Sequence, residues 1–177
     1  MELPVQLLSD NFVAQTKNKA KMTDLPVPET PSVSFLCDVA VDVAEPIVVG
    51  ETGAGVRRVI PIIGGTVKGR INGRVLASGA DFQIIRRDGV AELEALYVIE
   101  TEHGLVYVKN YGLRDGPKDV LDRLARGELV DPKLVYFRAS PRFETAAPEL
   151  QWMTKRIFVC SGARLPNQVV LRFFELL

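Results

Sequence analysis

The sequence predicts an all-β protein, an antiparallel up-and-down β-barrel with one short helix inserted near the barrel mouth. Three observations support this fold class: nine stretches of β-type residues, tight-turn dipeptides between neighbouring stretches, and a single stretch with helical periodicity. The turns are Asp88-Gly89 and His103-Gly104, where glycine permits the positive φ of a tight hairpin. A Greek-key sandwich is the alternative, but a closed meander removes exposed strand edges and is therefore favoured.

The β-type stretches show the alternation expected of half-buried strands. From Val33 to Val43, every second residue is apolar, which places one face of the strand against a core. The remaining stretches are rich in valine, isoleucine, tyrosine and phenylalanine. They lie at about 56–63, 66–72, 81–87, 90–101, 105–111, 133–139, 151–160 and 167–176. Together these stretches predict a calycin-like barrel.

The predicted helix covers residues 115–127. Pro117 suits a first helical turn, Val120, Leu121 and Leu124 share one face, and the glycine at the end can adopt a left-handed stop. On a closed barrel, such an insertion either caps the apolar interior or covers the mouth as a lid. Both interpretations remain open, because the periodicity reports only an apolar face.

Length and charge exclude several classes of protein. The chain has 177 residues, 47% of them hydrophobic, and its 22 Lys and Arg balance its 22 Asp and Glu. This composition suits one folded domain and excludes a disordered chain. We expect no nucleic-acid partner, because neither half is basic, and no membrane partner, because no run approaches about 18 apolar residues. The pairs Arg57-Arg58 and Arg86-Arg87 are expected on solvated strand faces.

Residues 1–31 are expected to form an N-terminal extended arm, followed by the barrel domain at 32–177. Lysines at positions 17, 19 and 21 precede prolines at 26, 28 and 31, a composition typical of a linker or arm. We predict a homodimer, because without a partner chain the arm would have to lie on its own domain. The N-terminus lacks the basic start and long apolar run of a secretory signal, so we expect a cytoplasmic location.

Reactive side chains are scarce. One histidine and two cysteines are too few for a three-ligand zinc site or a disulfide scaffold, so we expect no metal and no cofactor. His103 is expected in a turn, and Cys37 and Cys160 are expected as buried strand residues. The glycine-rich segment 50–55 lacks the lysine of a phosphate-binding loop, which excludes nucleotide binding there. Any catalysis would therefore use carboxylate, guanidinium, amide and phenol groups.

An ordered series of motifs resembles the domain-of-unknown-function 3237 family over roughly residues 33–175. The series includes Ile60-Pro61-Ile62-Ile63-Gly64-Gly65, Gly79-Ala80-Asp81-Phe82-Gln83, Asp88-Gly89, Asn110, Gly112, Phe137-Arg138, Pro141, Phe143-Glu144, Trp152 and Gly162. The resemblance implies a small β-barrel, and a fungal subgroup of the family is associated with ring closure of chalcones to flavanones. The chain departs from the family pattern at Ala77-Ser78, Phe82 and Met153-Thr154, where the family tends to have Pro-Gly, Trp and Leu-Asn.

The candidate catalytic residues are Asp81, Arg138, Tyr97 and Glu144. Asp81 is the candidate general base, and Arg138 is the candidate stabiliser of an enolate or phenolate oxygen. Asp81 shares a strand face with Gln83, and the family resemblance favours the inward orientation of that face. The alternative places Asp81 outside at a turn and makes Arg138 and Glu144 an ordinary ion pair at the rim.

Further residues are candidates for ligand binding because they supply aromatic walls or polar groups near strand ends. They are Gln83, Lys109, Asn110, Tyr111, Arg142, Phe143, Trp152 and Thr154. For Asn110, the alternative is a side chain that bonds backbone groups in a turn.

The leading functional hypothesis is an isomerase or lyase that acts by proton transfer on a hydrophobic aromatic carbonyl compound bound inside the barrel. The expected partner is therefore a small hydrophobic or aromatic ligand. Two alternatives from other classes are a non-catalytic carrier of an apolar ligand and a structural domain with a filled barrel interior. A cavity lined by Asp81, Gln83, Arg138 and Trp152 would favour the enzyme.

Overall fold

The structure is a computed structural model that describes residues 26–177. The predicted arm lies mostly outside the described residues, and residues 26–31 have exposed side chains and no regular secondary structure. The compact unit begins at Ser32 and continues to Leu177. Its strands are β1 (Val33–Val43), β2 (Ile47–Thr52), β3 (Gly55–Gly69), β4 (Gly73–Val75), β5 (Gly79–Ile85), β6 (Ala91–Thr101), β7 (Gly104–Asp115), β8 (Tyr136–Thr145), β9 (Phe158–Arg164) and β10 (Gln168–Leu176).

Eight of these strands close into an antiparallel barrel, as predicted. Strands β5 to β10 follow one another as neighbours, β10 pairs with β1, β1 pairs with β3, and β3 pairs with β5. The short strands β2 and β4 lie outside this circuit, β2 on β3 and β4 between β3 and β6. Because every strand of the circuit has two partners, the barrel has no free edge there.

Several strand boundaries differ from the prediction. The sequence did not predict β2, whose apolar residues are exposed, and β3 is one strand where two were expected. The stretch predicted as a strand from 151 begins instead with a 3-10 helix, Pro148–Lys155, before β9. Its buried residues Leu150 and Met153 are three apart, which matches the three-residue period of that helix.

Gly65 allows β3 to bend closely against β1. Its φ is +145°, and a Cβ atom at this position would lie 2.2 Å from the carbonyl oxygen of Ala40. Any larger residue would push the two strands apart at the pairing that closes the barrel.

One end of the barrel is filled. The ring of Phe143 packs edge-on against Phe158 and tilted against Phe173, with centroid distances of 4.9 and 5.9 Å. Leu150 and Met153 of the 3-10 helix are buried in the same cluster, so this helix covers the end of the barrel. Cavity space is therefore expected at the opposite end.

The predicted helix is present as α1, Lys118–Ala125, followed by Gly127 with a φ of +78°. Its apolar face packs on Val130 and Val135 in a small cluster separate from the barrel core. The helix stands beside the open end of the barrel and does not fill it. None of the helices among residues 26–177 is long and apolar enough to cross a membrane.

The cysteines and the histidine lie where the sequence suggested. Cys37 and Cys160 are free and buried, and burial raises the pKa of each thiol to about 12. Both are therefore protonated at neutral pH and are poor nucleophiles. His103 lies in the turn between β6 and β7. Homodimerisation and a cytoplasmic location stay predictions.

Candidate functional site

Two adjoining cavities occupy the open half of the barrel. The inner cavity has a volume of about 40 Å³ and lies between the strands, while the outer basin has a volume of about 670 Å³ and lies at the mouth beside α1. Ile60 and Arg164 line both cavities, so the basin adjoins the inner cavity. The walls of the inner cavity are mostly apolar and include Val41, Val43, Ile62, Leu93, Phe137 and Leu171.

Four polar side chains line the inner cavity, each with a buried atom that has no hydrogen-bond partner within residues 26–177. These atoms are Asp81 Oδ1, Tyr97 Oη, Asn110 Oδ1 and Arg164 Nη1. An unsatisfied buried polar atom costs about 1–3 kcal/mol, so four around one cavity are unusual for a purely structural core. Their convergence indicates a site for a polar group of a bound molecule.

Asp81 faces the cavity in a fixed orientation. Its Oδ2 accepts a hydrogen bond from Gln83 Nε2, and Gln83 Oε1 accepts one of 2.8 Å from Arg58 Nε. Burial raises the pKa of Asp81, although the hydrogen bond from Gln83, the charge of Arg114, a hydrogen bond from the backbone of Glu94 and the charge of Arg58 act to lower it. The carboxylate thus has one oxygen held by the protein and one oxygen directed to the cavity.

Tyr97 and Asn110 provide the other two oxygen atoms. Tyr97 is 1% exposed, and burial raises the pKa of its phenol well above the usual value, so the hydroxyl keeps its proton at neutral pH. The Nδ2 atom of Asn110 lies 3.9 Å from Cys160 Sγ, to which it donates a weak hydrogen bond. This contact leaves Asn110 Oδ1 without a partner within the described part of the chain. Asn110 therefore points inward and does not bond a turn.

Strand pairing explains why these groups meet. In the antiparallel registers, Ile60 lies opposite Asp81, Asp81 opposite Ala95, and Ala95 opposite Asn110. Paired residues share a face of the sheet, so an inward Asp81 requires an inward Asn110. The small Ala95 between them leaves space for the inner cavity.

Three arginines at the mouth were not among the residues predicted from the sequence. Arg58, Arg114 and Arg164 line the basin beside the polar cavity, and Arg58 was wrongly expected on a solvated strand face. Arg114 is 7% exposed, and burial, followed by the charge of Arg58, lowers its pKa to about 10. Burial also lowers the pKa of Arg58 and Arg164, and the three guanidinium groups still carry their charges at neutral pH.

A sequence signal for these arginines exists. Each lies two residues from an inward-facing residue: Arg58 comes before Ile60, Arg114 after Gly112, and Arg164 after Gly162, where an added Cβ atom would meet the inward ring of Phe137. Extending the two-residue period from Asn110 along β7 also reaches Arg114. The inward faces of β3, β7 and β9 thus each place an arginine at the mouth.

The structure does not bring Arg138 to Asp81, which corrects the expected convergence. On β8 the inward face consists of Phe137, Ala139, Pro141 and Phe143, so the intervening polar residues point to the outer surface. Arg138 is exposed, and its Nη1 donates to the carbonyl oxygen of Phe137 at 2.8 Å. The other outward residues of this strand that were candidates are Arg142 and Glu144.

Three further candidates also lie outside the cavities. Lys109 forms a 2.7 Å ion pair with Glu144 on the outer surface, and the Tyr111 side chain is 54% exposed. Thr154 is exposed and donates its hydroxyl hydrogen bond to the carbonyl oxygen of Gln151. These residues alternate with inward residues or lie on the 3-10 helix, so they cannot reach the inner cavity.

The two aromatic candidates belong to the filled end. Phe143 is part of the aromatic cluster, and Trp152 is half-buried with the guanidinium of Arg70 4.5 Å above its ring. Of the predicted residues, the structure therefore brings together Asp81, Gln83, Tyr97 and Asn110. Within residues 26–177, no three His, Cys, Asp or Glu side chains form a group that could hold a metal ion.

Comparison with known proteins identifies the family. The family model described as "Protein of unknown function (DUF3237)" matches residues 31–176. The chain belongs to the DUF3237 family. A relative, a UPF0311 protein from Rhodopseudomonas palustris, is 55% identical over 130 residues, which are 72% of this chain and 85% of that protein.

Solved structures share the barrel. A protein of unknown function from Rhodopseudomonas palustris matches this DUF3237 protein with a TM-score of 0.82 and 47% identity, over 85% of this chain and all of that one. A "beta-barrel like protein" from Acinetobacter baumannii matches with a TM-score of 0.76 and 37% identity, over 86% and 100% of the two chains. A protein described as an enzyme, from Penicillium herquei, matches with a TM-score of 0.64 and 15% identity, over 86% and 99%. This last likeness shows the fold alone.

Proposed function

We propose that the barrel is a small-molecule enzyme, an isomerase or lyase that acts by proton transfer on a partly apolar carbonyl compound. Asp81 is the general base in this proposal. The observation that carries it is the buried Oδ1 of Asp81, which faces a cavity and has no partner within residues 26–177. A positioned carboxylate of this kind can take a proton from a bound molecule and return it.

The environment of Asp81 strengthens it as a base. Burial raises its pKa above the usual value of an aspartate, which makes the ionised form a stronger base. Gln83 holds the other oxygen, so the reactive oxygen keeps one direction without reorganisation during the reaction.

Negative charge that develops on the substrate has two sources of stabilisation nearby. The Tyr97 hydroxyl can donate a hydrogen bond inside the cavity, and the guanidinium groups of Arg114 and Arg164 supply positive charge at its entrance. Preorganised donors and charges in a site with little water are effective stabilisers of an enolate or phenolate oxygen. These groups take the role that the sequence analysis gave to Arg138.

Ring closure of a 2′-hydroxychalcone illustrates the chemistry. Asp81 takes the phenol proton, the phenolate oxygen bonds to the β-carbon of the enone, and the electron pair of the double bond moves to the carbonyl oxygen. The resulting enolate takes a proton at the α-carbon from the protonated Asp81. No atom is gained or lost and the overall oxidation state is unchanged, so the step needs no oxidant, reductant or second substrate.

The sequence resemblance and one structural comparison support the proposal. The family that the chain resembles has a fungal subgroup associated with this ring closure, and a barrel of the same fold from Penicillium herquei is described as an enzyme. The second supports only the statement that the fold is compatible with catalysis.

The test is turnover of 2′-hydroxychalcone, followed by loss of the enone absorbance. We expect Asp81→Asn to lower kcat by about 10²- to 10⁴-fold, because the amide cannot accept the proton. Asp38→Asn is the matched control, since Asp38 lies on the outer surface in an ion pair with Arg172. Equal turnover by wild type and Asp81→Asn, above the rate without protein, would remove Asp81 from the mechanism. Recovery of an unconverted chalcone bound to the protein in native mass spectrometry would favour the carrier alternative.

A further inference from the structure

Three arginines line the basin, and one of them, Arg164, also lines the inner cavity. We propose that Arg58, Arg114 and Arg164 bind the carboxylate of a small organic acid, whose apolar part enters the barrel. This inference deepens the proposed function by adding a carboxylate to the carbonyl compound proposed there, and it rests on that function for the reaction of the bound acid at Asp81. 2′-Hydroxychalcone carries no carboxylate, so its turnover tests Asp81 and not these arginines. Binding itself requires no turnover and can be tested separately.

The hydrogen bonds of these arginines leave donors available. Within residues 26–177, Arg58 bonds only the neutral amide of Gln83, through Nε at 2.8 Å, and Arg164 Nη2 donates to the carbonyl oxygen of Pro166 at 3.2 Å. Arg164 Nη1 is buried without a partner, and Arg114, 7% exposed, has no ion-pair partner within residues 26–177. Buried guanidinium groups without partners are costly, so the arrangement is typical of a site that receives an anion.

Nearby carboxylates only partly offset the three charges. The charge of Asp81 acts on all three guanidinium groups and that of Glu45 acts on Arg164, but within the described residues neither carboxylate forms an ion pair with them. The other two acidic residues of the basin are engaged elsewhere, Asp88 by Arg86 and Asp122 by Lys118. This wall of the basin therefore keeps a local excess of positive charge despite the zero net charge of the chain.

The shape and chemistry of the site favour a monocarboxylate over an inorganic dianion. Guanidinium groups present planar pairs of donors that match the two oxygens of a carboxylate. The inner cavity beside them has apolar walls, which include Val43, Leu93 and Phe137. These walls can pack against an apolar group of the ligand but offer no favourable contact to an inorganic ion. The negative charge of Asp81 also disfavours a second negative charge on the ligand.

Calorimetric titration of the full chain tests the proposal with 4-hydroxycinnamate, its neutral amide and inorganic phosphate. We expect the acid to bind about 10- to 100-fold more tightly than the amide, because hydrogen bonds between charged groups are strong. Equal affinity for acid and amide, tighter binding of phosphate, or no binding of the acid would each overturn the proposal.

Variants locate the binding site. Arg164→Gln should weaken binding of the acid at least tenfold, whereas Arg57→Gln should change it less than twofold, because Arg57 alternates to the other face of β3 and lines neither cavity. Arg164 is only half-buried, so this variant tests the site even if the buried Arg114→Gln variant does not fold. Unchanged binding by Arg164→Gln and Arg58→Gln would overturn the proposal.

Asp81→Asn separates this inference from the proposed function. The variant removes a negative charge beside the site, so it should bind 4-hydroxycinnamate at least as tightly as wild type while it loses turnover of the chalcone. If Asp81→Asn keeps its turnover and still binds the carboxylate, the result contradicts only the proposed catalytic role of Asp81. Loss of acid binding in Asp81→Asn would contradict the charge argument and overturn the inference.

Discussion

Gln83 donates a hydrogen bond through Nε2 to Oδ2 of Asp81, two residues earlier on β5. The two side chains share a face because residues two apart on a strand point the same way. Gln83 is 2% exposed, so its amide has no access to solvent and stays oriented by Arg58 on its other side. The pair converts an ordinary strand carboxylate into one with a single oxygen available to a ligand.

The first prediction concerns the pH dependence of turnover. Asp81 acts as a base when ionised, so kcat should rise with pH through its pKa, which burial raises above the usual value of an aspartate. Arg114 favours the ionised form and lowers this pKa; Arg114→Gln should therefore raise the pKa and move the profile of kcat to higher pH. Arg57→Gln is the control and should leave the profile unchanged. A shift to lower pH in Arg114→Gln would contradict the assignment of the profile to Asp81.

The fold could be predicted because it depends on local patterns. Alternating apolar residues, the turns at Asp88-Gly89 and His103-Gly104 and the single helix suffice for a meander, and avoidance of free edges favours its closure. The 3-10 helix Pro148–Lys155 was not predicted, because a short stretch with apolar residues three positions apart is also compatible with a strand rich in aromatic and branched residues.

The site could be predicted only in part, because a two-residue period does not state which face is inside. For Asp81 and Gln83 the correct face was favoured by the family resemblance. For β8 the sequence does indicate the inward face, because Phe137 and Phe143 lie on one face of the strand and Arg138 and Arg142 on the other. An antiparallel strand with one solvated face turns its charged residues outward.

The mouth arginines required the register of the closed barrel. Arg58, Arg114 and Arg164 come from positions 50 or more residues apart and meet only because β3, β7 and β9 end their inward faces at the same opening. Basic residues at strand ends are usually solvated, so the number of arginines in the sequence does not indicate that these three lie close together.

A second prediction uses the closure of the barrel at Gly65. A methyl group there would collide with the backbone of Ala40, so Gly65→Ala should lower the free energy of unfolding by about 2–4 kcal/mol in urea denaturation. Gly53→Ala is the matched control, because a Cβ atom at Gly53 meets nothing within 4 Å, and it should change stability by less than about 0.5 kcal/mol. Equal stability of the two variants would show that the strand pair is wider than described.

The third prediction separates function from stability at Tyr97. Its hydroxyl is buried without a partner within residues 26–177, so Tyr97→Phe removes an unsatisfied group and should leave stability unchanged or raise it by about 1 kcal/mol. If the hydroxyl donates to the substrate, the same variant should lower kcat for 2′-hydroxychalcone at least tenfold. Tyr107→Phe is the control, since the Tyr107 ring is half-buried on the outer face beside Lys109. A large loss of stability in Tyr97→Phe would mean that the hydroxyl supports the fold, because a group that serves only the ligand contributes nothing to folding before the ligand binds.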